Sequence, residues 1–198
     1  LLGRWLQALA PHFLAVTTLV SGAVLLVSSA TPAKGTRLAW LEHFFPLPVM
    51  EISHFFGSLA GVGLILLARG IQRRLDGAYF VTVGLLAAGV LFSLLKGFDY
   101  EEAAFLAVML AVFLPCRSHF YRKASLLSEK FTPEWILAIS FVLIGSLWIG
   151  LFSFKHVEYS HDLWWHFALR GDAPRFLRAS VGAFGALLFF AISKLLRP

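Results

Sequence analysis

LPVMEISHFFGSLAGVGLILLA, residues 47–68, is the stretch that decides the fold. Glu51 and His54 are its only ionisable side chains, and both lie in its first two turns. A helix of roughly twenty apolar residues is what it takes to cross about 30 Å of hydrocarbon. No water is available there to bond a stray N–H or C=O, so the stretch must satisfy its own backbone and is read as a transmembrane helix. Working outward, similar blocks recur at about 11–30, 78–95, 100–116, 134–154 and 176–196. The block before Cys116 is short, and it reaches spanning length only if Tyr100, Glu101 and Glu102 form its first turn. A β-barrel is excluded, because barrel strands are shorter and alternate polar with apolar residues. The expected fold is therefore all-α: a polytopic bundle of about six spanning helices filling residues 1–198, with both termini cytoplasmic.

Composition agrees. The chain is 59% apolar and 14% charged, against about 45–50% and 25% for a soluble domain, and its mean hydropathy is +0.78. The net charge of +6 sits in the turns between apolar blocks, which points to anionic lipid rather than nucleic acid. Ten of the seventeen basic residues fall on the side assigned to the cytoplasm, as lysine and arginine sorting requires. The lone Cys116 excludes an intrachain disulfide. A start at Leu1 without a signal-peptide n-region reads as a piece of a longer polypeptide.

The sequence holds no Gly-rich phosphate loop, HExxH pair, CxxC pair or GxSxG elbow. Chemistry must then come from polar groups in or beside the bilayer. Glu51 and His54, three apart, share a helix face. They read either as a polar cavity for a headgroup or proton, or as hydrated and inert interfacial groups. Asp99, Glu101 and Glu102 read as a cap for the fourth helix, with attraction of a cationic headgroup as the rival. His156, Glu158, His161, Asp162 and His166 have the composition of a metal site, but the histidines stand five apart, about 500° around a helix and so on different faces, and no two of them have the i, i+4 spacing of helical zinc ligands, so neither metal nor cofactor is expected. Trp164 and Trp165, like Trp40, Phe44 and Phe45, suit the headgroup layer.

The run RGDAPRFLR, residues 170–178, is the most informative. Asp172 can cap the sixth helix, and Pro174 suits its first turn. Arg170, Arg175 and Arg178 then gather where the helix dipole is already positive, which favours a shared anion such as a phosphate. Unspecific snorkelling to headgroups is the alternative. Gly57/Gly61 and Gly182/Ala186 offer small-residue seams for close helix packing.

Three segments carry a resemblance: LKGFDYEEA (95–103), FYRKASLLSEKFTPEWI (120–136) and HVEYSHDLWWHFALRGDAPRFLRAS (156–180). They resemble the bacterial lysylphosphatidylglycerol synthase family, also called multiple peptide resistance factor. The resemblance extends over most of the chain from about Leu47. It implies the transmembrane part of a bifunctional phosphatidylglycerol lysyltransferase (or alanyltransferase) and flippase in the bacterial cytoplasmic membrane. Such a protein presents aminoacyl-phosphatidylglycerol in the outer leaflet and so gives resistance to cationic antimicrobial peptides. The family's aminoacyl-tRNA-dependent transferase domain is cytosolic and is expected after residue 198, so catalytic residues are not assigned in this chain. The implied partners are phosphatidylglycerol, its aminoacyl ester and the synthase domain; a second copy of the chain is a further candidate. The residues matching the family pattern are Asp99, Glu101, Glu102, Asp172, Arg175 and Arg178. Two other functions are kept beside this one: an ion-coupled secondary transporter using Glu51 and His54, and a structural anchor without a lipid site.

Overall fold

A computed structural model describes residues 2–31, 46–123, 132–153 and 172–195. Within them run six helices: α1 (Leu2–Ser29), α2 (Leu47–Gln72), α3 (Asp76–Gly97), α4 (Tyr100–Phe113), α5 (Pro133–Ser153) and α6 (Asp172–Leu195). A 3₁₀ segment, Leu114–His119, continues α4. All six are long and apolar enough to cross a membrane, α4 when counted with its extension as Tyr100–His119. Among the described residues no strand occurs beyond one isolated bridge, Leu75 with Arg122. The chain is an all-α, multi-pass membrane protein. Trp40, Phe44, Phe45, the His- and Trp-containing stretch 156–166 and Arg170 lie outside the described residues.

The ends of the elements follow from local chemistry. Pro46 stands in the extended conformation as the N-cap of α2, and Pro48 sits in its first turn, where a missing N–H costs nothing. The α2–α3 turn needs Arg74 at φ 61° and is tied to the chain after the 3₁₀ segment: Asp76 N–H donates to Arg122 O (3.1 Å) and Arg122 N–H to Arg74 O (3.2 Å). Helix α3 ends on a left-handed Phe98, φ 53°. There Phe98 N–H donates to Leu94 O and Asp99 N–H to Ser93 O, each at 3.0 Å, which meets two of the carbonyls that a helix end leaves open. Pro115 falls where α4 tightens into 3₁₀, which removes one α-helical donor.

Contacts at both ends fix the direction of each helix. Ser28, Glu51, Lys96, Glu102 and Arg175 meet at one end. At the other, Tyr79 Oη donates to Leu114 O (3.1 Å) and Trp135 Nε1 to Gln72 Oε1 (3.0 Å). Since α4 holds Glu102 at the first end and delivers Leu114 to the second, it traverses the bundle rather than turning back.

Helices α1 to α4 form the dense part, with Leu25, Leu64, Ile71, Leu86, Leu106 and Phe113 fully buried among them. In lipid this association comes from close packing rather than from expulsion of water. It is closest where Gly22 faces Gly61: a Cβ on Gly22 would stand 2.6 Å from the Gly61 carbonyl oxygen. Gly61 thus serves the α1–α2 seam, whereas a Cβ on Gly57 would meet only ordinary contact with Phe92 at 3.6 Å. Gly182 makes room for the ring of Phe55 instead of a helix backbone. Helix α5 is nearly uncovered. Leu137 and Phe141 are 70% and 80% exposed, which places apolar side chains against acyl chains if the bundle is monomeric. Several hydroxyls inside the spans return to their own helix, as Thr18 Oγ1 does to Leu14 O (2.6 Å) and Ser53 Oγ to Val49 O (2.6 Å).

Candidate functional site

The polar side chains predicted to carry chemistry collect at one end of the bundle, and the structure sorts them into two ion-pair clusters. The first is sealed. Lys96, in the last turn of α3, and Glu102, in the first turn of α4, face each other across the Phe98 stop. Lys96 Nζ lies 3.0 and 2.8 Å from the two Glu102 carboxylate oxygens. It also donates to Ser28 Oγ of α1 at 3.0 Å, while Ser93 Oγ donates to Glu102 Oε1 at 2.8 Å. Both charged side chains are about 5% exposed. Full pairing and extra hydrogen bonds are what permit two charges to be withdrawn from water.

This separates Glu102 from the acidic turn to which the sequence had assigned it. The carboxylate turns inward to a lysine and is not part of a surface for a cationic headgroup. Asp99 and Glu101 stay at the turn, half-buried and exposed respectively. Asp99 holds the N-cap position of α4 without a side-chain cap bond, and Ala103 N–H donates to its backbone carbonyl at 2.9 Å. Glu101 and Glu102 still occupy the first turn, where negative charge complements the dipole.

The second cluster joins α2 to α6. Arg175 Nε donates to Glu51 Oε1 at 2.9 Å, and Arg178 Nη2 to Glu51 Oε2 at 2.5 Å. One carboxylate therefore bridges two guanidiniums lying three apart on the first turns of α6. The arginines sit at a helix start, as the sequence indicated, and their shared anion is Glu51 of the same chain. Burial is graded: the Arg175 side chain is 2% exposed, Glu51 11% and Arg178 20%. Asp172 is the first helical residue of α6; its side chain lies outside the described set.

Glu51, Arg175 and Arg178 form the polar end of a groove of about 490 Å³ between α2 and α6. Ile52, Phe55, Phe56 and Val181 wall it, and Gly182 contributes its floor. Ile52, Phe56 and Val181 are exposed on the outer surface of the bundle, so the groove opens sideways, where acyl chains would lie. Phe56 stacks on Phe92 of α3 with ring centroids 6.1 Å apart, which braces that wall.

His54 does not join Glu51 in the groove lining. Its ring is hydrogen-bonded to the backbone of Ser29 and lies within electrostatic reach of Lys96, Arg175 and Arg178. Its Nδ1 is buried without a hydrogen-bond partner. The three-residue spacing thus brings Glu51 and His54 close in sequence but directs them to different neighbours. Lys96 is the charged residue of the site that the sequence reading passed over. Its facing of Glu102 across the Gly97-Phe98 helix stop was the available signal.

Neither a protein-family model nor a curated protein matches this chain. Function is therefore read from the site. Two guanidiniums and a carboxylate stand at the head of an apolar, laterally open groove. That arrangement suits an amphiphile with an anionic head: arginine forks fit phosphate oxygens, and the aromatic and aliphatic walls fit hydrocarbon.

Proposed function

We propose that the chain is the lipid-handling membrane module of an aminoacyl-phosphatidylglycerol synthase and flippase, and that the α2–α6 groove holds the phosphatidylglycerol moiety of its lipid. The observation that carries the reading is the lateral groove with Arg175 and Arg178 at its polar end. The sequence resemblance of residues 95–103, 120–136 and 156–180 supports the choice of lipid chemistry, because it includes the arginine run itself. On this reading the clustered end of the bundle faces the outer leaflet of the bacterial cytoplasmic membrane, as the lysine and arginine distribution favours. Asp99 and Glu101, half-buried and exposed respectively at that same end, would add negative charge near the amino group of an aminoacyl headgroup. The transfer of the aminoacyl group from tRNA belongs to the synthase domain and involves none of the residues described here.

Two features count against the rival functions. A coupling carboxylate in a transporter must reach the ion it carries, yet Glu51 is held between two guanidiniums of its own chain. A bare anchor has no use for a polar-headed groove in a lipid-facing wall, where ionisable groups are costly. The test is replacement of both Arg175 and Arg178 by alanine in the full-length protein, with outer-leaflet aminoacyl lipid measured at matched expression. A clear fall in exposed aminoacyl lipid is expected, without loss of its synthesis. Unchanged exposure removes the groove from the lipid route.

A further inference from the structure

At the end of the bundle opposite the ion-pair clusters, the chain after α4 folds back onto the α2–α3 turn and carries three cations on its surface. Phe120 is buried there and stacks on Tyr79 of α3, with ring centroids 5.1 Å apart. Arg122 is pinned by its two backbone bonds to the turn, and its Nη1 donates to Arg73 O at 3.4 Å. Successive side chains of an extended segment point to opposite sides, so the burial of Phe120 turns Tyr121 outward, where it is exposed. Arg117, Arg122 and Lys123 are exposed as well. The Arg117 guanidinium lies over the ring of Phe80 near the start of α3, 5.1 Å from its centroid. Asp76 and Glu134 are the described acids at this end, and Glu134 lies within electrostatic reach of Arg69. Among the described residues, none of the three exposed cations is paired with a carboxylate; Arg69, Arg73 and Arg74 have further partners, and the surface is built without them.

We propose that Arg117, Arg122 and Lys123 form a second lipid site, which holds an anionic phospholipid of the leaflet at this end of the bundle. The site is separate from the α2–α6 groove and does not depend on it. The apolar side chains beside the cations select the partner. Residues three apart eclipse one another in a 3₁₀ helix, so Leu114 stands directly under Arg117, on the side from which α4 arrives out of the membrane. Leu114 and Phe80 are both exposed. Arg117 thus lies where the apolar surface of two spanning helices meets the headgroup layer, and the amphipathic ring of Tyr121 suits that same layer. The phosphate meets guanidinium and ammonium groups, and an acyl chain covers Leu114 and Phe80. Free phosphate has no use for those two side chains. A zwitterionic headgroup brings an ammonium that three cations repel, so selection is by headgroup charge. The bound lipid fastens the start of α3 to the chain after α4.

The experiment is photolabelling of the full-length protein in phosphatidylcholine nanodiscs, titrated with a phosphatidylglycerol that carries a diazirine beside its headgroup. Adducts are mapped by mass spectrometry. In wild type they should fall on Phe80 and on residues 114–123. A basic residue near the surface contributes about fivefold to the retention of anionic lipid, so Arg117→Gln/Lys123→Gln should raise the half-saturating lipid concentration about thirtyfold. That variant keeps Arg122 and its bonds to the turn. Arg117→Lys/Lys123→Arg, which preserves both charges, should label within about fivefold of wild type. Unlabelled phosphatidylglycerol should compete, whereas extra phosphatidylcholine and millimolar inorganic phosphate should not. Labelling around Arg178 should be the same in all three proteins. Absence of adducts at 114–123 in wild type would mean that something other than lipid covers this surface, and the site falls. It falls equally if the glutamine variant labels like wild type, if the charge-preserving variant loses labelling as fully as the glutamine one, or if phosphatidylcholine or inorganic phosphate competes on equal terms.

Discussion

Two ion-pair clusters sit at the same end of one bundle, and they differ in what surrounds them. Lys96 and Glu102 are enclosed by α1, α3 and α4, each with its hydrogen bonds met by Ser28 and Ser93. Glu51 with Arg175 and Arg178 joins α2 to α6 and opens into a groove. The sealed pair can only hold helices together, because nothing reaches it. The open cluster can exchange partners, because Arg178 is a fifth exposed. Identical chemistry thus serves cohesion in one place and recognition in the other, and access is what separates them.

The largest expected effect lies on the sealed side. Lys96→Ala should destabilise the protein by about 3–5 kcal/mol, since it leaves Glu102 charged and buried without its cation. Lys96→Met combined with Glu102→Leu should recover most of that loss. Reversible unfolding in mixed detergent would check both, and equal destabilisation by the single and double variants would break the contrast drawn above. Next comes Gly182→Leu, which contests the space of the Phe55 ring at the groove wall. Overpacking there should cost about 1–3 kcal/mol and should abolish lipid binding while leaving the Lys96 cluster intact. Trp135→Phe, at the opposite end of the bundle, removes one hydrogen bond to Gln72. A loss of about 0.5–1.5 kcal/mol is expected, with lipid binding unaffected; altered binding would show that the two ends are coupled. The smallest stability effect belongs to Arg178→Ala, at most about 1 kcal/mol for a partly exposed ion pair. Its effect on phosphatidylglycerol binding should nonetheless be large, because Arg178 stands at the polar end of the groove. A stability loss as large as that of Lys96→Ala would mean that the groove arginine is sealed too.

Hydropathy carried the fold because a spanning helix announces itself through length and apolarity alone. The details it missed are those that hydropathy does not encode. Helix α1 starts at Leu2 and runs through Pro11, while the apolar block begins only at that proline. The fourth span reached crossing length partly through Leu114–His119, whose Arg117 and His119 end any hydropathy window. Of the site, the arginines were legible because cations at a helix start stand out against the dipole. Their partner was not, since Glu51 lies 124 residues from Arg175 in sequence and composition cannot register a pairing across that distance. The pairing of Glu102 was hidden for a related reason: its two acidic neighbours stood out as one group, whereas the helical turn points it back toward Lys96.

The contact of Gly22 with Gly61 bears on how the bundle could move. Two helices whose backbones touch cannot slide or tilt past each other without a clash, so α1 and α2 travel as one block together with the densely packed α3 and α4. Helix α6 leans on that block through the Phe55 ring at Gly182 and the salt bridges to Glu51. If the proposed lipid function requires the groove to widen for a bulky headgroup, α6 is the helix whose pivoting against the four-helix wall would widen it.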